Sequence, residues 1–155
     1  MTPQVWIAVL VGLAASIDDL VRRRIANWIP AAAFAGGLVF QSIQSGWRGT
    51  LAALLGTAAG FGIFLVFYLL GGMGGGDVKL MAGFGAVLGV SRLLEAALWI
   101  AACGGLLAAV VLGVRTLRRQ WSVWKGQPPW IPGSDSIPYA PAIAIGVWLS
   151  LVPKA

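Results

Sequence analysis

The 155-residue chain is 59% hydrophobic and 10% charged, with a mean hydropathy of +0.86. Soluble domains carry about 25% charged residues, so an ordinary water-soluble fold is excluded and lipid is the expected solvent. The net charge of +6 does not indicate nucleic acid, because the basic residues stand in short runs between apolar stretches, as topology determinants do.

Six apolar segments follow in chain order, at about 3–17, 27–43, 50–70, 78–90, 93–114 and 137–152. They predict an all-α, polytopic membrane protein, a bundle of about six transmembrane helices forming a single transmembrane domain over 1–155. No basic residue precedes the first segment, so it reads as a retained helix rather than a cleaved signal. The third and fifth segments are comfortably long, whereas the fourth is the shortest and follows the run Gly71–Gly76. Such a run cannot face lipid as a stable helix; it must be buried in protein or line a wet cavity. GxxxG pairs at Gly56/Gly60 and Gly85/Gly89 suggest close helix approach. The longest connection, 115–136, is basic and carries Pro128, Pro129 and Pro132, and reads as an irregular cytoplasmic loop. Eight of the 11 basic residues fall on the side of the first, third and fifth connections, which places that side in the cytoplasm and both termini outside. Trp28, Trp47, Trp121, Trp124 and Trp130 lie near segment ends, as interfacial residues do.

Chemistry has few residues to rest on. The chain has no histidine and one cysteine, Cys103. That rules out an internal disulfide, a Cys/His metal constellation and a histidine base, and no metal or cofactor is expected. Of the five acidic residues, Glu95 reads as an interfacial partner of Arg92 and Asp135 as a cap for the last helix. Asp18 and Asp19 end the first segment, and Asp77 opens the fourth, all at the same edge of the bundle. Ionisable groups at membrane depth need a partner, and one of Asp18/Asp19 can pair with Asp77. Two carboxylates held together share a proton, so a water between them meets a base and an acid at once. The same residues could instead form ion pairs with Arg22–Arg24 or Lys79 at the membrane edge.

The run Gly74-Gly75-Gly76-Asp77-Val78-Lys79-Leu80 resembles the GxGD motif of the type IV prepilin peptidases, a family of bacterial intramembrane-type aspartyl proteases. Asp19-Leu20-Val21-Arg22-Arg23-Arg24-Ile25-Ala26-Asn27 is similar to that family's first-aspartate segment, and Ile137–Gly146 to its proline-tyrosine entry into the last helix. The resemblance implies that Asp19 and Asp77 are the catalytic pair, with Gly74, Gly76, Lys79 and Asn27 as supporting motif positions. It selects Asp19 over Asp18 by the spacing to Leu20 and Ile25. On a helix adjacent residues point about 100° apart, so only one can face a partner. It further implies removal of a short basic leader from prepilin or pseudopilin substrates at the cytoplasmic face of the bacterial inner membrane. Partners are thus the substrate helix and the lipid bilayer, with no nucleic acid. Two departures stand out: Ala26 replaces the usual proline, and the CxxC-bearing domain of larger members is missing. The resemblance is therefore to the minimal, peptidase-only form of Tad/Flp-type systems. Rival readings are a proton- or cation-coupled transporter using the same carboxylates, a structural membrane subunit, and a GxGD protease with another membrane substrate.

Overall fold

The structure is a computed structural model, described over residues 2–125 and 138–152. All regular structure among these residues is helical: α1 (Pro3–Arg22), α2 (Trp28–Leu69), α3 (Gly75–Trp124) and α4 (Ala140–Leu151). Helix α1, helix α2 and the Gly75–Arg118 part of α3 are each long and apolar enough to cross a bilayer, and α4 is a shorter apolar helix. The chain is a multi-pass helical membrane protein.

Two glycines break the long helices. Gly46 (φ 55°, ψ −135°) and Gly89 (φ 67°, ψ 173°) hold left-handed, non-helical backbone that side-chain-bearing residues avoid. The chain reverses at each. Ser42 Oγ and Thr50 Oγ1 lie 2.7 Å apart, whereas eight residues of straight helix would separate them by about 12 Å. After Gly89, Leu93 returns to within 3.6 Å of a Cβ placed on Gly60, which also faces the Met81 carbonyl. The described residues therefore form six helical stretches.

Glycine contacts give the stretches their directions. Gly56 meets Gly85 and Gly60 meets Met81, so 47–69 runs antiparallel to 75–88. Gly83 meets Pro30 and Ala33 while Gly37 meets Ala86 and Val87, so 28–45 runs parallel to it. Gly12 meets Ala144 and Trp148, and the Trp148 indole donates to the Ala8 carbonyl at 3.0 Å, pairing α1 antiparallel with α4. Gly146 presses on Ile100, which pairs α4 with the second stretch of α3.

Stretch 75–88 is the centre of the bundle. Leu80, Met81, Phe84, Ala86 and Val87 are fully buried, so beyond the exposed Lys79 it is largely shielded by protein. This accounts for its shortness and its glycines: neighbours approach it to backbone distance, and it need not present a long apolar face to lipid. At its end, the break frees the Val87 carbonyl for donors from other helices. The side-chain amides of Gln4 and Gln41 both donate to it, at 2.8 and 3.3 Å.

The Gly85/Gly89 pair does bring helices close, since a Cβ on Gly56 would meet the backbone of both, and Gly89 in addition breaks the helix. One expectation needs correction. The connection expected at 115–136 starts later, since α3 continues through Trp124. Residues 115–124 contain no glycine or proline, and the first proline is Pro128, so nothing halts the helix earlier. Its remainder, with Trp130, the prolines and Asp135, lies outside the described residues. Trp28, Trp47, Trp121 and Trp124 are exposed at helix ends.

Candidate active site

Asp19 continues the buried face of α1. Ala8, Gly12, Ala15 and Asp19 follow one another at spacings of four and three, the stripe that faces α4 and the core. Asp19 is 8% exposed, and its Oδ2 accepts the backbone N–H of Ala140 at 3.1 Å. Ala140 is the first residue of α4. That helix has no side-chain cap of its own at Tyr139, and Pro141 brings no N–H. An acid from another helix therefore fills the cap, where the helix dipole also favours negative charge.

Asp18 faces elsewhere, as the 100° rotation between neighbours requires. Its Oδ2 accepts the Ala26 N–H at 2.8 Å and its Oδ1 lies 3.4 Å from Arg22 Nε. Asp18 thus ties down the α1–α2 turn. Arg23, in left-handed conformation (φ 52°), ends α1 by donating its N–H to the Asp19 carbonyl at 2.9 Å.

Asp77 sits in the first turn of α3. The Asp77 N–H donates to the Gly74 carbonyl at 3.1 Å, and Asp77 Oδ2 accepts the Gly74 N–H at 3.1 Å. The Asp77 side chain thus supplies the acidic half of a capping box, with a backbone turn in place of the capping hydroxyl that Gly74 lacks. Asp77 is 7% exposed.

The glycine run does its work in parts. Gly71 (φ 75°) terminates α2: its N–H reaches Tyr68 and the Gly72 N–H reaches Phe67, both at 2.9 Å, a Schellman ending. Gly75 and Gly76 are already helical, so the left-handed turn lies at Gly71, ahead of Asp77. Gly76 instead makes room: a Cβ there would come within 3.3 Å of Ile25 Cβ, from the α1–α2 turn.

Asp19 and Asp77 come together from separate helices, near enough that the charge of Asp19 acts on Asp77. Asp18 and Arg23 act in turn on Asp19. Lys79, two residues further along α3, points away, and its Nζ donates to Asn27 Oδ1 at 2.9 Å. Gly74, Gly76 and Asp77 thus gather with Asp19, while Lys79 and Asn27 form a separate exposed clasp between the α1–α2 turn and α3. Among the described residues no group of three or more His, Cys, Asp or Glu side chains is placed to hold a metal ion.

The site is therefore two buried acids, each anchored through Oδ2 to the N-terminus of a helix, beside the run Arg22–Arg24. A family model described as the type IV leader peptidase family matches residues 6–112. The chain belongs to that family. The match takes in both aspartates and the glycine run and stops before the Asp19 partner Ala140. A relative described as prepilin leader peptidase/N-methyltransferase, from Bacillus subtilis (strain 168), is 42% identical over 98 residues. That alignment covers 61% of this chain and 34% of the relative, so the chain spans about a third of the protein it resembles. No solved structure matches it.

Sequence reasoning missed the Ala140 N–H as the partner of Asp19 and the Ala26 N–H as that of Asp18. A signal for the first was present: Tyr139-Ala140-Pro141 opens an apolar helix with no capping side chain at Tyr139, so an acceptor must come from another element.

Proposed function

We propose that this protein is an aspartyl endopeptidase that removes the leader from prepilin-like substrates, with Asp19 and Asp77 as its catalytic pair. One arrangement carries the reading: two buried carboxylates from distant parts of a family-matched chain, each anchored to the N-terminus of a helix, lie within electrostatic reach of one another.

The reaction needs one proton shared between the acids. The ionised carboxylate takes a proton from a water held between them, and the hydroxide attacks the scissile carbonyl. The protonated partner gives its proton to the carbonyl oxygen, forming a tetrahedral diol. The first acid then protonates the amide nitrogen as the C–N bond breaks, and the second recovers a proton from a diol hydroxyl. Anchoring each Oδ2 to a backbone N–H fixes the carboxylates and leaves the other oxygens for water and substrate.

In this reading all six helical stretches belong to one domain in the bacterial inner membrane, with the aspartates at its cytoplasmic side. Arg22–Arg24 supports that orientation by the distribution of positive charge. The basic residues repel a basic leader and attract anionic lipid, so the substrate arrives by its apolar stem rather than its leader.

The test is leader removal from a prepilin-like substrate reconstituted with wild-type protein, Asp19→Asn or Asp77→Asn. Wild type should process it and both variants should not, with all three inserted equally in membranes. Complete processing by either variant would end the assignment.

A further inference from the structure

An open apolar groove of about 680 Å³ starts at the segments that anchor the aspartates. Gly72, Met73 and Tyr139 form that end of it. Met73 precedes Gly74, whose N–H holds Asp77; Tyr139 precedes Ala140, whose N–H holds Asp19. From there the groove follows α3 back from Ala108 to Leu94, with Ile63, Phe64 and Phe67 of α2 along one wall. Fourteen helical residues rise about 21 Å, most of the roughly 30 Å hydrocarbon thickness.

The α3 side of the groove carries Ala97, Ala101, Gly104, Gly105 and Ala108, small residues at spacings of three, four and one. Such a face lets another helix approach closely. Elsewhere in this bundle Gly12, Gly37, Gly56, Gly60, Gly83 and Gly146 are each pressed against a neighbouring element. Here the face is uncovered: a Cβ on Gly105 meets nothing within 4 Å, and one on Gly104 meets only the Tyr139 ring, at 3.8 Å.

We propose that this groove seats the apolar helical stem of the substrate, with the leader–stem junction at Asp19 and Asp77. The inference rests on the leader-peptidase reading. Continuity with the site selects the occupant: the groove ends at Met73 and Tyr139, each next in the chain to the residue whose N–H anchors one of the carboxylates. A stem lying in it would deliver the peptide bond at its end to the acids, held by helix packing in place of any grip on the charged leader.

Gly105→Leu fills the groove without disturbing a packed neighbour, and Gly62→Leu is the matched control, since a Cβ on Gly62 also meets nothing within 4 Å. With a full-length prepilin-like substrate in proteoliposomes, Gly105→Leu should raise KM at least about tenfold, a difference of some 1.4 kcal/mol in binding, with kcat within about twofold. Gly62→Leu should change neither. Binding is read separately in a non-cleaving chain carrying Asp77→Asn, Cys103→Ala and Gly105→Cys, which should form a disulfide with a cysteine placed in the substrate stem. An unchanged KM for Gly105→Leu, or a Gly105→Cys disulfide formed only between copies of this chain, overturns the groove assignment. So does release of a bound lipid by Gly105→Leu without any KM change. If wild type cleaves while the stem disulfide is absent, the groove fails and the peptidase reading stands. If Asp77→Asn cleaves, the peptidase reading fails, and the disulfide still reports what occupies the groove.

Discussion

Asp19 at the end of α1 closes the N-terminus of α4 by accepting the Ala140 N–H at 3.1 Å. One carboxylate thus has two duties, and substitutions separate them. Asp19→Asn keeps a side-chain oxygen for Ala140 and loses the charge, whereas Asp19→Ala loses both. Asp19→Asn should abolish leader cleavage and unfold within a few degrees of wild type in detergent. Asp19→Ala should be equally inactive and less stable by about 1–3 kcal/mol, the cost of leaving a buried N–H unpaired. Thermal melts of the two purified variants check this. Equal melting of both would show that the Ala140 hydrogen bond does not hold α4.

The neighbouring acid makes the opposite prediction. Asp18 accepts the Ala26 N–H from the α1–α2 turn and pairs with Arg22 at the end of α1. Asp18→Asn preserves the first contact and removes only an exposed ion pair, worth about 0–1 kcal/mol. Cleavage by this variant should stay within a fewfold of wild type. A loss as deep as that of Asp19→Asn would mean that the wrong aspartate has been placed in the pair.

The helical bundle was readable because lipid imposes a simple rule: apolar segments separated by glycine, proline and charge. The break between the second and third segments was expected at 44–49, and one residue, Gly46, makes it. The break between the fourth and fifth segments was expected at 91–92 and comes slightly earlier, at Gly89, because GxxxG spacing is shared by packing faces and by glycines that end a helix. Gly85 and Gly89 both approach Gly56, and only backbone geometry shows that Gly89 also turns the chain. The extension of α3 to Trp124 was hidden by charge: Arg115 and Arg118 look like a loop at a membrane surface, although arginine suits a helix that emerges into water. At the site, Asp19 and Asp77 were suggested by their cost in lipid. Their anchors are backbone N–H groups, which every residue except proline possesses, so only the uncapped start of α4 at Tyr139 hinted at one of them.

Lys79 and Asn27 supply a third prediction. Their 2.9 Å hydrogen bond is exposed and joins α3 to the α1–α2 turn, away from Asp77. Lys79→Met and Asn27→Ala should each destabilise by about 0.5–1.5 kcal/mol. The double variant should lose less than the sum, because one interaction is removed twice. None should change the pH profile of cleavage, as the Lys79 ammonium is held at Asn27 and not at Asp77. A shifted profile in Lys79→Met would return the lysine to the catalytic machinery.

The central stretch of α3 gives the sharpest test of the packing. A Cβ on Gly85 would strike the carbonyl oxygen of Gly56, and both partners are backbone within buried helices, so neither can turn aside. Overpacking of this kind costs about 1–3 kcal/mol, and more where the backbone must move. Gly113 is the counterpart on the same helix: a Cβ there meets nothing within 4 Å. Gly113→Ala should be neutral or stabilising by up to about 1 kcal/mol, from helix propensity alone. Gly85→Ala should destabilise by at least about 2 kcal/mol and lower activity with it, since stretch 75–88 carries Asp77 at its first turn. Melting temperatures of the two alanine variants, measured side by side in one detergent, decide the matter: equal values would mean that the helices carrying Gly56 and Gly85 are not in contact.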